Sequence, residues 1–413
     1  MQAPYQVSPS SSAIELHVSG YNHKAHVLVE RLLDTTMDLL AKGDDDSAEL
    51  SELFDRVTFK LEQSFQSFLV GQPYQHCIYG GDLVLEQKTP LEDKMNVLKE
   101  ITLSEVLTFA KGFLKHCQLE GLVHGNVSAQ HAYDITSMVW SKTHPLQKNS
   151  MEATITRAPL EKRVVDLSSG SSYVYSFPEF NEGNPNSCVE LIFQMGALDL
   201  ETNSTLALFG HLIREPAFNQ LRTEEQLGYI VHSAIKTSGD HIKGLLILIQ
   251  SDSFNPHYVE ERIEVFLAKF RQRLVEMSES DFQTFVDTVV ASFLEKNKNL
   301  GEESSRYWHV ILNKTFDFER YQKIADYVKK HTKLQILRFY DKYIATNAPC
   351  RHKLCVHVVA KQHQDATKED GAGEASAVCT VEDPVEFRRS MPLFSLPAKT
   401  EVEVVDLGIN KSS

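Results

Sequence analysis

Hydrophobic positions along this chain change from a helical to an alternating period, and the change predicts where helices end and strands begin. Residues 229–235 and 245–250 are apolar runs on either side of a Thr-Ser-Gly-Asp turn, which predicts a hairpin. Residues 203–221 carry apolar positions at helical spacing, and we predict that Pro216 breaks this helix because proline lacks a backbone donor. A helix-to-strand corner is therefore predicted at 221–229.

The same order of elements is predicted twice. A strand at 14–19 leads into an amphipathic helix at 26–40. A second strand at 245–250 leads into a helix at 256–277. Because the same order of elements occurs twice, we predict an internal repeat. In each copy the apolar face of the helix must be covered by a sheet or by another helix.

Individual residues also recur at a nearly constant offset. Similar residues occupy matching places in the two halves, among them His26 and His257, Phe54 and Phe285, Thr102 and Thr332. The two threonines are predicted helix N-caps. Strands at 121–127 and 352–360 are predicted to close the two copies.

We therefore predict an α+β protein built from two copies of a mixed helix and antiparallel-sheet unit. The second copy has opening strands that the first lacks, so we expect a truncated form of a longer protein or a divergent product with an incomplete first domain. The predicted regions are a truncated first repeat, a linker, a second repeat, and a mobile loop with a docking C-terminal tail, at 1–140, 141–160, 161–361 and 362–413.

Composition narrows the classes of partner. A net charge of −14 and a pI near 5.7 argue against nucleic acid and against anionic membranes. The six cysteines are scattered, which favours reduced thiols in a cytoplasmic protein. Because a sheet without its opening strands exposes an edge, we also expect a tendency to associate, with a homo-oligomer as one form.

Arg222 and Tyr229 are the candidate functional residues of the corner. A guanidinium fork and a phenol hydroxyl there could both reach a carbonyl or carboxylate outside the sheet. The alternative interpretation is structural: Arg222 neutralises a helix end, and Tyr229 is an aromatic residue at a strand edge.

Metal ligands are not predicted in this chain. Neither HExxH nor HxxEH occurs, and the nearest segment, His257 to Glu261, has glutamate in place of the second histidine, so we interpret it as an ordinary helix start. Cys350, His352, Cys355 and His357 fit a half-buried strand better than a zinc site, because Cys355 and His357 share one face and Leu354 lies on the other.

The corner and several other segments resemble the C-terminal half of the insulysin family, which consists of inverted-motif zinc metalloendopeptidases; nardilysins are less similar. The matching segments span most of the chain, at 122–126, 215–219, 221–231, 256–258, 307–308, 351–353 and 387–394. The resemblance implies that Arg222 and Tyr229 contact the scissile carbonyl of a peptide. It implies a zinc ion bound by the half that is absent here, and a polyanion site at Lys296 and Lys298. It also allows mitochondrial or peroxisomal fractions beside the cytoplasmic one.

The leading hypothesis is therefore a substrate-binding half that walls a peptide-degrading chamber and is inactive alone. Its expected partners are peptide substrates and a zinc-bearing N-terminal half or homologous subunit. The alternatives are a non-catalytic peptide-binding or scaffold paralogue, and a fragment of a full-length enzyme.

Overall fold

The computed structural model describes residues 5–9, 13–42, 48–116, 119–143, 162–167, 170–239, 241–313, 315–364 and 378–395. The strands are β1 (Tyr5–Pro9), β2 (Ile14–Val18), β3 (Ser172–Pro178), β4 (Ser187–Ala197), β5 (Ile230–Ser238), β6 (Ile242–Ser251), β7 (Lys353–Val359) and β8 (Val378–Thr380). The α-helices are α1 (Asn22–Lys42), α2 (Ala48–Leu69), α3 (Pro73–Leu85), α4 (Leu91–Glu100), α5 (Leu103–His116), α6 (Ala129–Thr143), α7 (Leu200–Ala217), α8 (Pro256–Glu276), α9 (Glu279–Leu294), α10 (Leu300–Leu312), α11 (Arg320–Val328), α12 (Lys333–Tyr343) and α13 (Pro384–Ser390). A π-helix (Phe218–Glu224) follows α7, and a short 3-10 helix covers Lys361–His363. None of the described helices is both long and apolar enough to cross a bilayer.

Much of the predicted linker and of the predicted loop and tail lies outside the described residues. The linker prediction, 141–160, is described only to 143. The prediction for 362–413 is described at 362–364 and 378–395. The described part of the tail contacts the body, because α13 packs against α3 and Arg388 Nη1 donates to the carbonyl oxygens of Leu83 and Glu86, each at 2.6 Å.

Among the described residues, six strands form a mixed sheet in the order β5-β6-β4-β7-β3-β8. The predicted hairpin is confirmed, since β5 and β6 pair antiparallel with Ile230 opposite Gln250. Strand β4 is antiparallel to β6 and β7, whereas β3 is parallel to β7 and β8. The α+β class is confirmed, but the sheet is not purely antiparallel. Parallel pairing needs a long crossover connection, and the chain between β3 and β7 contains the described helices α7 to α12.

The sheet has an apolar core on each face. Along β4, Val189 and Leu191 enter the core that contains residues of α7, α8, α9, α11 and α12. Cys188 and Ile192, which alternate with them, enter the second core. Alternate residues of a strand point to opposite faces, so a strand that is buried at almost every position, as β4 is, must lie between two covering layers.

Strand β7 is buried on both faces, which corrects the half-buried strand predicted for it. Cys355 belongs to the first core, and Leu354 and Val356 belong to the second. The second face is covered by α3, whose Cys77 and Leu85 enter that core. Because α3 is remote from β7 in sequence, the alternation along β7 could not reveal its cover.

His76 joins α3 to the chain that follows β3. Its Nδ1 lies 3.0 Å from a carboxylate oxygen of Glu179, and its Nε2 lies 2.7 Å from the carbonyl oxygen of Phe68. Burial lowers the pKa of His76, but the hydrogen bonds to Glu179 and Phe68 and the charge of Glu179 together raise it above its ordinary value. Both ring nitrogens have acceptors, so the contact stabilises the protonated imidazolium.

Raising the pH from about 6 to about 9 is expected to reduce the free energy of unfolding through His76. A raised folded-state pKa gives stability that is fully present below the unfolded value of about 6.5 and is lost as the pH rises through the folded value. Urea unfolding at both pH values, with His76→Gln as the non-titrating comparison, measures the effect. The variant should lose less stability than the parent, and an equal fall in both would contradict the assignment.

Residues 121–127 form no strand, which corrects the closing strand predicted for the first copy. His124 instead packs on α10, with Nδ1 2.7 Å from Ser304 Oγ and its ring edge-on to Tyr307. The described part of this copy contains a sheet of only two strands, β1 and β2. Residues 121–127 pair with neither of these strands.

The two predicted N-caps are confirmed and have the same geometry. Thr102 Oγ1 accepts from the Glu105 backbone at 3.3 Å, and the Glu105 carboxylate accepts from the Thr102 backbone at 2.8 Å. Thr332 and Gln335 repeat this reciprocal pair at 3.3 and 2.8 Å. Each pair is a capping box, so α5 and α12 begin in the same way, as the internal repeat predicts.

Candidate functional site

The backbone of the corner is a helix that widens before it ends. Helix α7 continues through Pro216 to Ala217 and then becomes the π-helix Phe218–Glu224, so the predicted break at Pro216 is wrong. The helix tolerates one missing donor, and the wider turns that follow include a bond from Glu225 N to Gln220 O of 2.9 Å. Short π-helical segments occur frequently at functional sites.

The structure brings the two predicted site residues, Arg222 and Tyr229, into contact. Arg222 Nε donates to the carbonyl oxygen of Tyr229 at 3.1 Å. The guanidinium carbon lies 4.8 Å from the ring centre of Phe218 and 5.1 Å from that of Tyr229, so the cation contacts two aromatic rings. These contacts fix the orientation of the guanidinium.

Both side chains keep free donors. Within the described part of the chain, no hydrogen bond or ion pair uses the terminal nitrogens of Arg222 or the hydroxyl of Tyr229. The Tyr229 side chain is also strongly exposed, at 84%. A guanidinium presents donors in a fork that matches a carbonyl or carboxylate, and a phenol adds one more. The corner can therefore bind an oxygen-rich group of a ligand.

Apolar and ionic contacts with the protein core and with α8 and β6 fix the position of the corner. Leu221 and Leu227 are buried, and Leu227 N donates to Leu221 O at 3.0 Å. Glu225 accepts from Arg262 of α8 at 2.7 Å. This hydrogen bond lowers the pKa of Glu225 below its ordinary value despite partial burial, so the pair stays charged at neutral pH. Gly228 lies directly against the backbone of Gln250 at the end of β6.

A second cluster, which the sequence did not predict, lies where α8 meets β7. Donor atoms of His257, Glu260 and His357 all lie within 4.8 Å of one another. A Glu260 oxygen lies 2.9 Å from His357 Nε2, and its other oxygen lies 2.7 Å from Lys353 Nζ. Burial raises the pKa of Glu260, but His357 and Lys353 lower it far more, so it is a carboxylate. There was little indication of this cluster in the sequence because His357 lies on β7, which is remote in sequence from His257 and Glu260.

The cluster does not fit the catalytic zinc of inverted-motif peptidases. That motif places two histidines one helical turn apart with glutamate as the base, and Glu261 stands where the second histidine belongs. Glu260, which stands at the position of the catalytic glutamate in the motif, uses its two oxygens for contacts with Lys353 and His357 and does not face an open coordination position. No catalytic step through zinc is therefore assigned to these residues.

The other candidate residues lie apart from the corner. His352 contacts the Leu167 carbonyl oxygen rather than the cluster around His357. Lys298 is exposed and lies 3.4 Å from Glu295, and Lys296 is also exposed. The polyanion site at these two lysines stays a prediction.

Two protein-family models match this chain, one near its start and one in its second half. Residues 2–97 match the middle or third domain of peptidase M16, and residues 208–308 match domain 4 of the C-terminal lobe of PQQ synthase PqqF-like proteins. Insulin-degrading enzyme of Homo sapiens is 30% identical over 95% of this chain and 38% of its own length. Insulin-degrading enzyme-like 1, peroxisomal, of Arabidopsis thaliana is 31% identical over 94% of this chain and 39% of its own length.

A solved structure shows the same fold. The crystal structure of pitrilysin superposes with a TM-score of 0.77 at 20% identity, covering 95% of this chain and 39% of that chain. The chain thus spans about two fifths of the length of the relatives it matches. With the match to a middle or third domain followed by the match to a domain 4, the chain belongs to the insulysin-like M16 peptidase family and corresponds to its C-terminal half.

Proposed function

We propose that this chain is the peptide-binding half of a zinc endopeptidase of the M16 family, in which the corner at 221–229 contacts the carbonyl of the peptide bond to be cleaved. The observation that carries the proposal is the pairing of Arg222 and Tyr229, whose donors are oriented but unused. The names of the relatives support a peptide as the ligand, because two of them are insulin-degrading enzymes or similar to them.

The chemistry of the corner is electrostatic. A peptide carbonyl gains negative charge on its oxygen when it is attacked, and donors fixed beforehand stabilise that charge without reorganising. Arg222 is fixed by two rings and by the Tyr229 carbonyl, so its guanidinium meets these requirements. The Tyr229 hydroxyl supplies a neutral donor beside it. The metal that would activate the attacking water belongs to a zinc-bearing half with its own HxxEH motif.

A second candidate function is peptide binding without cleavage. It is favoured by one specific observation: the sequence contains neither HExxH nor HxxEH. A scaffold of this kind would use the same corner to hold a carbonyl or a C-terminal carboxylate. In either case we propose the cytoplasm as the compartment, on the scattered cysteines.

The test is cleavage of a fluorogenic peptide by this chain alone and by this chain mixed with the zinc-bearing half of an insulysin. We expect activity only in the mixture. Tyr229→Phe, which keeps the ring over Arg222 but removes the hydroxyl, should lower kcat by about 100-fold, the usual loss for one oxyanion donor.

Tyr327→Phe is the matched control, since Tyr327 is also exposed but lies on α11, and it should leave kcat unchanged. Activity from the chain alone that a chelator abolishes would contradict the proposal. Peptide binding that Arg222→Ala removes, without cleavage in the mixture, would establish the scaffold function instead.

A further inference from the structure

The cluster of His257, Glu260 and His357 lies where helix α8 meets strand β7, and each element contributes at least one of its residues. His257 and Glu260 are three residues apart near the start of α8, which Asn255 caps, so both face the same side of the helix. His357 comes from β7, a central strand of the sheet, and is fully buried at 0% exposure. The rings of His257 and His357 meet edge to face, with centres 4.9 Å apart.

One nitrogen of the buried His357 imidazole lacks a hydrogen-bond partner among the described residues. His357 Nε2 contacts Glu260, but among the described residues His357 Nδ1 has no hydrogen-bond partner. Buried polar atoms are nearly always paired with protein, water or an ion, so an orphan at this depth calls for a further ligand. The other nitrogen, Nε2, faces the cluster: it lies 2.9 Å from a Glu260 oxygen and 3.2 Å from Cys355 Sγ, and the His357 ring contacts the ring of His257.

We propose that His257, Glu260 and His357 form a metal site, specific for a divalent ion of the zinc class, that clamps the start of α8 to strand β7. Zinc binds nitrogen at about 2.0–2.1 Å, so ligands of a tetrahedral site stand roughly 3.3 Å apart. The observed separations, all within 4.8 Å, are closed by small side-chain rotations.

The chemistry of the donors selects the ion. Two imidazoles and a carboxylate suit zinc and cobalt, whereas magnesium and calcium require oxygen ligands. Cys355 Sγ lies 3.2 Å from His357 Nε2 and adds a soft donor at the edge of the site. These groups distinguish the site from a cluster of surface acids.

The surrounding charges make the site a structural one. Glu260 uses one oxygen for Lys353 and presents the other to the cluster, which is how a carboxylate ligand is commonly oriented by its neighbours. Lys353 and Arg351 both contact Glu264, so two cations and two carboxylates already balance there. The ammonium of Lys353 holds Glu260, and Cys355 Sγ or a solvent molecule would complete four-coordination; we assign the site no part in peptide binding at the corner.

The test uses the full chain stripped of metal by a chelator and then titrated with Co²⁺, with Zn²⁺ as competitor. We expect one Co²⁺ per chain, with the strong visible bands of a four-coordinate ion that Zn²⁺ abolishes. His257→Ala removes an exposed ligand without opening the core, and it should weaken binding by at least about 10-fold.

His232→Ala is the control, because His232 is an exposed histidine on β5 outside the cluster, and its binding should equal that of the parent. Weak octahedral spectra, binding that His257→Ala does not change, or no binding at all would overturn the site. A rise in Tm with zinc in the parent and in His232→Ala, but not in His257→Ala, would further support the clamp.

Discussion

Gly228→Ala is expected to destabilise the fold by about 3 kcal/mol and to disable the corner with it. A methyl group at this position would lie 1.9 Å from the carbonyl oxygen of Gln250, far inside van der Waals contact. The obstacle is the backbone of a buried strand rather than a flexible side chain, so it cannot move aside. Either β5 or β6 must shift, and the hairpin that carries Tyr229 shifts with it.

Urea unfolding of the parent and the variant measures the loss, and Gly112→Ala is the matched control. An added methyl at Gly112 meets nothing within 4 Å, and alanine is the better helix former, so this variant should be more stable by about 0.5–1 kcal/mol. A Gly228→Ala variant as stable as the parent would mean that the close approach of the corner to β6 does not exist.

The sequence predicted the parts of the corner that depend on local pattern. The change from helical to alternating period placed the hairpin, and β5 and β6 form it. Thr102 and Thr332 were predicted as N-caps, and they cap the starts of α5 and α12. The role proposed for Arg222 and Tyr229 came from resemblance, and their contact was visible only in the structure. The π-helix was missed because nothing in the sequence around Pro216 distinguishes a break from a widened turn.

The parts that failed depend on partners remote in sequence. The segment at 121–127 has apolar residues but pairs with no described strand, so pattern alone gave the wrong structure. Strand β7 was predicted half-buried because α3, which covers its second face, lies far earlier in the chain. The contact between His357 and His257 was not predictable for the same reason, because the two residues lie on elements that are remote from each other in sequence.

The second large effect is expected from a substitution in a buried charge network between α3 and the sheet. Lys236 Nζ lies 3.0 Å from Glu190 and 3.1 Å from Asp82 of α3. The Glu190 side chain is 0% exposed, and its second oxygen has no partner among the described residues. Burial raises the pKa of Glu190, and the charge of Lys236 offsets only part of that rise. Glu190 therefore depends on Lys236 to remain charged.

Lys236→Met is expected to cost about 3–5 kcal/mol of unfolding free energy at neutral pH, because it leaves the Glu190 charge buried and unpaired, whereas Asp82 keeps Lys88 at 2.5 Å. The cost should shrink as the pH falls, since a carboxyl group with a raised folded-state pKa is protonated more easily in the folded protein. Combining it with Glu190→Met should restore most of the loss, because no charge is then left unpaired. Lys361→Met, which removes an exposed pair with Glu182, should leave the free energy of unfolding nearly unchanged. Urea unfolding of the four variants (Lys236→Met, Glu190→Met, their double variant and Lys361→Met) decides the matter, and additive losses in the double variant would show that Lys236 and Glu190 do not interact.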